Sequence, residues 1–166
     1  MKFKFTIQEY QTSAVQSVVD VFKGQPFTGA VPFTQTIGSL DMPDVGVKNA
    51  PLMVHPEQLL ANIKSVQSRN DLTNSTKISK IEGLGACILD VDMETGTGKT
   101  YVYIKTMFEL HKNYGWTKFI VIVPTVAIRE GVFKNFAALQ DHFMEYYGEK
   151  ARYFIYNPNF SAGIRH

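Results

Sequence analysis

The sequence predicts an α/β fold of three layers, in which helices cover both faces of a mostly parallel sheet. From Gly83 onward, short apolar runs alternate with segments of helical periodicity. Apolar strands that alternate with helices are typical of a parallel sheet covered on both sides. A glycine-rich loop also stands between the first apolar run and the helix that follows it. A chain of 166 residues is long enough to bury one hydrophobic core.

Composition and periodicity divide the chain into three regions, 1–24, 25–82 and 83–166. The first region has the pattern of a strand and a helix. The second region holds most of the prolines and several glycines, which predicts a loop-rich insert with one helix. The third region contains the strand and helix alternation and the glycine-rich loop, so we expect it to begin a nucleotide-binding domain.

The first region is predicted to form a short strand over 2–5 and then an amphipathic helix. Thr6 and Glu9 have the spacing of a capping box at the helix start. Gly24 and Pro26 are expected to end the helix. The predicted apolar face of this helix consists of Ile7, Tyr10, Ala14, Val18, Val21 and Phe22.

The middle region predicts one helix from Pro56 to about Ser68, with proline at its first turn. Its predicted apolar side consists of Leu59, Leu60, Ile63 and Val66. Short strands are expected around 30–37 and 52–54. The polar stretch 69–80 is predicted to be loop.

The third region predicts three strands and two long helices in alternation. The strands are expected over 86–92, 118–123 and 152–156. One helix is predicted over 99–113, and Thr125 is a candidate cap for a second helix that runs to about Tyr147.

The glycine-rich loop has the sequence Thr95-Gly96-Thr97-Gly98-Lys99-Thr100, between a predicted strand and a predicted helix. This layout is typical of a phosphate-binding loop, although the strict pattern has glycine at the position of Met93. Glycine lets backbone N–H groups turn toward phosphate oxygens, and the helix directs its positive end at the same anion. Lys99 is the candidate for the β- and γ-phosphates and Thr100 for Mg²⁺. The sequence therefore predicts binding of a nucleoside triphosphate.

The overall composition gives no sign of a membrane protein or of a disulfide-rich secreted protein. The net charge is only +2, so any nucleic-acid contact must come from a local site. The single cysteine, Cys87, excludes an internal disulfide, which suits a reducing compartment. No apolar run has the length of a membrane span. We expect a cytoplasmic protein without a membrane partner.

Three stretches together resemble superfamily 2 helicases and translocases. Residues 93–100 resemble motif I of that superfamily, residues 122–132 (Ile-Val-Pro-Thr-Val-Ala-Ile-Arg-Glu-Gly-Val) resemble motif Ia, and residues 5–14 resemble its upstream Tyr-Gln element. More narrowly, the first two stretches are similar to the restriction (Res) subunit of type III restriction-modification enzymes. The resemblance implies a RecA-like fold, of which this chain contains the first part of the first lobe.

The resemblance also implies a biochemical role. It implies an ATP-dependent, Mg²⁺-requiring motor on duplex DNA, in complex with a methyltransferase (Mod) subunit and with an endonuclease domain further along. A hydrolysing enzyme of this type needs an acidic residue after a later strand. The sequence contains no adjacent Asp-Glu pair. We therefore expect the N-terminal part of a larger protein, inactive in hydrolysis and cleavage on its own.

Carried over by this resemblance, Gln11 is the candidate adenine reader, and Gln8 competes for that role. A side-chain amide both donates and accepts, as recognition of the adenine edge requires. Pro124 and Thr125 are candidates for contact with the nucleic-acid backbone, and Arg129 is a second candidate. Thr125 has an alternative role as a helix cap. The full set of candidate nucleotide ligands is Gln11, Thr95, Gly96, Thr97, Gly98, Lys99 and Thr100, with Lys99 and Thr100 also the candidate catalytic residues.

Three other functions remain open at this stage. One is another superfamily 2 DNA or RNA helicase. A second is a nucleotide-binding module that does not hydrolyse its ligand, which the missing acidic pair permits. The third is a small-molecule kinase. The long segment before the loop disfavours a kinase, because such enzymes usually begin with the strand that leads into the loop.

Overall fold

The computed structural model of the chain describes residues 6–35, 44–81, 85 and 87–156. The elements in chain order are α1 (Glu9–Val21), β1 (Val31–Gln35), β2 (Asp44–Lys48), α2 (Pro56–Arg69), α3 (Lys99–Tyr114) and α4 (Val126–Tyr147). They fall into two compact units, which divide between Ile120 and Val121. The four predicted helices are confirmed in position. The strand predicted over 2–5 lies outside the described residues.

The predicted capping box of α1 is wrong. The helix begins at Glu9, its N-cap is Gln8, and no side chain caps it. A capping box requires its hydroxyl residue at the N-cap itself. Thr6 lies two residues before that position, so its hydroxyl is not placed to accept from the first turn.

The buried face of α1 differs in part from the predicted one. Val21 is buried as predicted, and Ala14 and Phe22 pack against the core. The side chains of Gln11, Val15 and Val19 are buried, whereas Tyr10 is 50% exposed and Ile7 39% exposed. Two apolar rows run along adjacent sides of this helix, and periodicity alone does not say which row a neighbour covers. Helix α3 covers the row formed by Gln11, Val15 and Val19, in which the residue nearest the N-terminus of α1 is a glutamine.

The main core of the first unit lies between α1 and α3. It is built from Val15, Val19, Val102, Leu110 and Tyr114, with Ala14, Phe22, Met93 and Trp116 packed around it. The Tyr114 hydroxyl donates to the Val19 carbonyl at 2.9 Å, so the buried polar atom of the core has a partner. The Phe22 and Trp116 rings meet edge to face, with their centroids 5.1 Å apart. This packing fixes α3 against α1 and therefore the loop that precedes α3.

A second core lies between the end of α1 and α2. Leu59 and Ile63 of α2 are buried with Val21, as the sequence predicts for this side of the helix. An ion pair at the surface joins the two helices, with Arg69 Nη1 2.6 Å from Asp20 Oδ2. Partial burial of Asp20 opposes its ionisation, but its hydrogen bonds and the charge of Arg69 outweigh burial and lower the pKa of Asp20.

Strands β1 and β2 form an antiparallel hairpin in the middle region. Val31 pairs with Lys48 and Gln35 pairs with Asp44. The strand expected around 30–37 is therefore confirmed as β1, whereas β2 was not predicted. The strand expected over 52–54 is wrong, because the backbone there joins no β-ladder.

Amide side chains take the place of a ladder in this region. Gln25 donates through Nε2 to the Pro51 carbonyl at 3.1 Å and accepts at Oε1 from the Met53 N–H at 2.7 Å. Asn62 of α2 donates through Nδ2 to the Val21 carbonyl at 3.0 Å and to the Lys23 carbonyl at 2.8 Å. A side-chain amide offers a donor and an acceptor as the peptide group does, so it satisfies an extended backbone without a neighbouring strand.

Asn49 makes the same kind of contact with the segment after α3. Its Oδ1 accepts from the N–H groups of Thr117 at 2.8 Å and Lys118 at 2.9 Å, and its Nδ2 donates to the Lys118 carbonyl at 2.7 Å. The indole N–H of Trp116 donates to the Ala50 carbonyl at 3.1 Å. The hairpin is thus tied to the chain at the point where the apolar run 119–123 begins.

The structure does not confirm the mostly parallel sheet. The described residues of 86–92, 118–123 and 152–156 join no ladder, and the only sheet of the described residues is the antiparallel hairpin. Cys87 and Leu89 pack against the second core. Their two-residue spacing is that of an extended segment with one face covered. One backbone bond, from Ile88 N–H to the Ser79 carbonyl at 2.8 Å, holds this segment. An apolar run has strand periodicity by itself, but a ladder also requires a partner strand.

The second unit is built around α4. Thr125 is its N-cap, and the Thr125 hydroxyl accepts from the Ile128 N–H, as predicted. The Phe136 and Tyr153 rings stack at 4.9 Å between centroids. Gln140 Nε2 donates to the Ala151 carbonyl at 3.1 Å, so the segment after α4 returns along the helix as coil. No described helix of either unit has the length and hydrophobicity needed to span a bilayer.

Replacement of Asn62 by alanine is expected to destabilise the first unit by about 2 kcal/mol, because two backbone carbonyls at the end of α1 lose their buried donor. Urea unfolding measures this loss. Asn113→Ala is the matched control, since the Asn113 amide is exposed and bonds only within its own helix turn. Equal losses for the two variants would contradict the role given to Asn62.

Candidate functional site

The glycine-rich loop forms a tight turn directly before α3. Gly96 has φ +83° and Gly98 has φ +86°, values that residues with a Cβ rarely adopt. The Thr97 hydroxyl donates to the Glu94 carbonyl at 2.6 Å, which closes the turn. Gly98 is the N-cap of α3 and supplies no side-chain cap. No N-cap side chain therefore accepts from the start of α3, and such a helix start favours an anion.

Gln11 lies against this loop, although the two are far apart in sequence. Gln11 is buried, and its Nε2 donates to the Thr97 carbonyl at 2.9 Å. The Tyr10 hydroxyl donates to the same carbonyl at 3.1 Å. A Cβ built at Gly98 would lie 2.5 Å from Gln11 Nε2. Glycine at position 98 is thus required both by its φ angle and by the approach of Gln11.

The Gln11 amide retains hydrogen-bonding capacity for a ligand. An amide carries two donors and a carbonyl acceptor, and Thr97 uses one of the donors. Gln8, the competing candidate, is the exposed N-cap of α1, where its backbone carbonyl accepts from the Thr12 N–H at 3.1 Å. Of the two glutamines, Gln11 is the one whose side chain the structure brings to the loop.

Lys99 and Thr100 are the first two residues of α3. Lys99 is exposed, and Thr100 is half-buried. One turn further on, the Tyr103 hydroxyl is buried on the same side of α3 as Thr100. Burial raises the pKa of Tyr103, and the hydrogen bond with the Thr100 hydroxyl lowers it by a smaller amount. Tyr103 therefore stays protonated. No motif in the sequence marks Tyr103.

A cavity of about 310 Å³ opens beside the loop. Its polar lining comes from Tyr10, Ser13, Asn70, Asp92, Glu94 and Thr97. Two carboxylates make this cavity unfavourable for phosphate, since like charges repel. Hydroxyl, amide and carboxylate groups beside a tyrosine ring suit a neutral ligand with several donors.

The candidate nucleic-acid contacts lie in the second unit and are described separately. Pro124 and Thr125 are exposed. The Thr125 hydroxyl oxygen accepts from Ile128 N–H at 3.2 Å, which leaves its proton available to an external acceptor. Arg129 forms an ion pair with Glu130, at 3.0 Å between Nη2 and Oε1. A phosphate would have to compete with Glu130 for this guanidinium.

Comparison with known proteins decides the family. Residues 4–154 match the family model described as type III restriction enzyme, res subunit. This chain belongs to that family. Membership implies a RecA-like helicase fold and confirms the resemblance drawn from the loop and from motif Ia.

Three curated relatives carry the same family name. The chain is 35% identical to the EcoP15I Res subunit of Escherichia coli over 164 residues, which is 96% of this chain and 16% of that protein. It is 38% identical to the EcoPI Res subunit of Escherichia phage P1 over 117 residues, which is 69% of this chain and 12% of that protein. It is 53% identical to the StyLTI Res subunit of Salmonella typhimurium over 62 residues, 36% of this chain and 6% of that protein. The chain therefore spans a small part of the length of each relative.

Gly98→Ala is expected to destabilise the first unit by about 2 kcal/mol or more, because alanine is strained at the left-handed φ angle of this position and its methyl group displaces the Gln11 amide. The control is Gly131→Ala in α4, where a Cβ meets no atom within 4 Å. That change is expected to stabilise its helix by about 0.5–1 kcal/mol. Urea unfolding of both variants tests the pair, and a neutral Gly98→Ala would contradict the close approach.

Proposed function

We propose that this chain is an ATP-binding part of a type III restriction subunit. The observation that supports this proposal best is the contact of the Gln11 amide with the carbonyl of Thr97 in the loop. It joins a base-reading group to a phosphate-binding group, as a site for one specific nucleoside triphosphate requires. Family membership supports the same role.

The triphosphate is proposed to lie at the N-terminus of α3. The backbone N–H groups of Thr95, Gly96 and Gly98 and of the start of α3 are proposed to face the phosphates. Gly96 leaves room for a close approach, because a Cβ there would meet no atom within 4 Å. Lys99 supplies a positive charge toward the β- and γ-phosphates, and the Thr100 hydroxyl is the protein ligand for Mg²⁺. When bound, Mg²⁺ neutralises phosphate charge.

The adenosine is proposed to lie in the cavity beside the loop. Gln11 does not line this cavity, so the base edge is proposed to lie beside Thr97, which borders the cavity and bonds to the Gln11 amide. The acceptor and the second donor of that amide match the N6 amine and N7 of adenine. The Tyr10 ring offers an aromatic surface to the base, and Asp92 and Glu94 offer acceptors to ribose hydroxyls. The cavity is close to the lower end of the usual size range for small-ligand pockets, about 300 to 1,000 Å³.

The mostly parallel sheet stays a proposal for the whole natural protein. Its strands are proposed over 86–92, 118–123 and 152–156. Ile120 and Ile122 are each 89% exposed, which is unusual for large aliphatic side chains and favours a state in which further structure covers them.

For the whole natural protein we propose the family role. It would couple ATP hydrolysis to movement on duplex DNA and to DNA cleavage, with a Mod subunit as partner, in the cytoplasm. Pro124, Thr125 and Arg129 are the proposed DNA contacts. The chain by itself is proposed to be inactive in hydrolysis and cleavage, because it has no adjacent Asp-Glu pair. The same observation favours, as second candidate, a nucleotide-binding module without turnover.

ATP is expected to bind in the presence of Mg²⁺, and GTP is expected to bind far more weakly. Lys99→Ala is expected to abolish binding, because the phosphates lose their cation. Gln11→Ala is expected to make the affinities for ATP and GTP equal, because the amide that reads the base edge is lost. Calorimetric titration of the whole natural protein and of both variants with each nucleotide measures these affinities.

Lys112→Ala is the control for Lys99→Ala, since Lys112 is exposed on the same helix and lies three turns away from the loop. Equal affinity of the unchanged protein for ATP and GTP would contradict the role of Gln11. Failure to bind either nucleotide at millimolar concentration would contradict the proposal as a whole.

Substitutions at Thr125 separate DNA contact from helix capping. Thr125→Ser keeps the hydroxyl and is expected to change neither property. Thr125→Asp keeps a cap acceptor for the Ile128 N–H but places a negative charge near the DNA backbone. It is expected to weaken DNA binding by about tenfold at low salt without loss of stability. Filter binding and thermal unfolding measure the two effects, and unchanged DNA binding would rule out this contact.

A further inference from the structure

Lys105 is a buried lysine in the middle of α3. Its side chain is only 4% exposed, which is rare for lysine. Burial lowers the pKa of Lys105. The negative charge of Glu109, one helical turn further on, raises this pKa by a smaller amount. Neither the phosphate loop nor any other motif includes this residue. A charged group in the interface between two helices needs a structural or functional explanation.

Lys105 is bonded to α1 at the residue that follows Gln11. Its Nζ donates to the Thr12 hydroxyl oxygen at 3.3 Å. The Thr12 hydroxyl donates in turn to the Gln8 carbonyl at 3.3 Å. A polar chain thus runs from the middle of α3 to the backbone carbonyl of Gln8, the N-cap of α1. It is a polar contact between these two helix bodies near the Gln11 end of the interface.

At the far end of this interface, the Tyr114 hydroxyl bonds to the Val19 carbonyl, but the apolar contacts nearer Gln11 do not fix the axial position of that end of α1. Val15, Val19, Val102 and Leu110 are apolar, and apolar side chains tolerate shifts that conserve volume. The site beside Gly98 has no such tolerance. A displacement of α1 by one residue is about 1.5 Å along its axis, which would break the bond from Gln11 to Thr97 or drive the amide into Gly98.

We infer that Lys105 is a positioning residue, which sets the register of α1 on α3 and so holds the Gln11 amide at the phosphate loop. Lys105 does not touch the nucleotide and acts through Thr12 and α1. A single buried polar group that fixes the register of packed helices is the best-attested use of such groups. This inference rests on the proposed function, because the quantity that Lys105 controls is the preference for ATP.

The test is Lys105→Met in the whole natural protein, with the ratio of ATP to GTP affinity as readout. Methionine has a similar length and no charge, so the fold is expected to survive with unchanged or higher thermal stability. The ratio is expected to fall about tenfold, since one net hydrogen bond to the base is lost. The control is Lys112→Met, which removes the same charge from an exposed position of α3. It is expected to leave the ratio unchanged.

Thr12 provides the second pair of variants. Thr12→Val removes the acceptor of Lys105 and keeps the charge, and it is expected to reduce the ratio as Lys105→Met does. Thr12→Ser keeps the hydroxyl and is expected to retain the ratio of the unchanged protein. If Lys105→Met fails to fold, the valine and serine variants decide the question.

The outcomes separate the two proposals. No ATP preference in the unchanged protein would overturn the proposed function and this inference together. A preference that survives both Lys105→Met and Thr12→Val would overturn the inference alone. Loss in Lys105→Met and Thr12→Val, with retention in Lys112→Met and Thr12→Ser, supports the positioning role.

Discussion

The hydrogen bond from the Gln11 amide to the Thr97 carbonyl is the constraint on which the arrangement of the first unit depends. It joins residues 86 positions apart, so the chain between them must return α3 to α1. The apolar contacts of Val15, Val19 and Val102 supply the free energy that packs α3 against α1. The hydrogen bond of the amide fixes the position of the loop relative to α1. Because Gly98 leaves no space for a larger residue, loop and helix fit in one way only.

The segment between α1 and α2 follows a different principle. A region rich in proline and glycine buries little apolar surface, and outside the hairpin of β1 and β2 its described residues join no ladder that would satisfy the backbone. Gln25, Asn49 and Asn62 instead bond directly to peptide groups, each from a position next to a packed core. The insert is therefore ordered by a few directional bonds, and its fold depends on single side chains more strongly than a core does.

Local signals in the sequence were sufficient for the helices and for the loop. Proline at the start of α2, the cap at Thr125 and the Gly-x-Gly-Lys-Thr pattern each depend on neighbouring residues only. The buried face of α1 was not predictable, because two apolar rows compete and the choice depends on α3. The roles of Asn49 and Lys105 are defined by partners far along the chain, and no short pattern encodes such a partner. For the same reason, apolar runs such as 119–123 indicate strand propensity but do not identify the neighbouring strand.

The contact of Asn49 with Thr117 and Lys118 has a consequence for self-association. An exposed strand edge with open N–H and C=O groups attracts the edges of other molecules. At Lys118, both backbone groups already bond to a side chain of the same molecule. A strand edge of another molecule therefore cannot pair with the backbone at Lys118, and pairing along the apolar segment cannot continue past this residue toward α3. Asn49 thus acts as a stop that protects one end of a very apolar segment from intermolecular pairing.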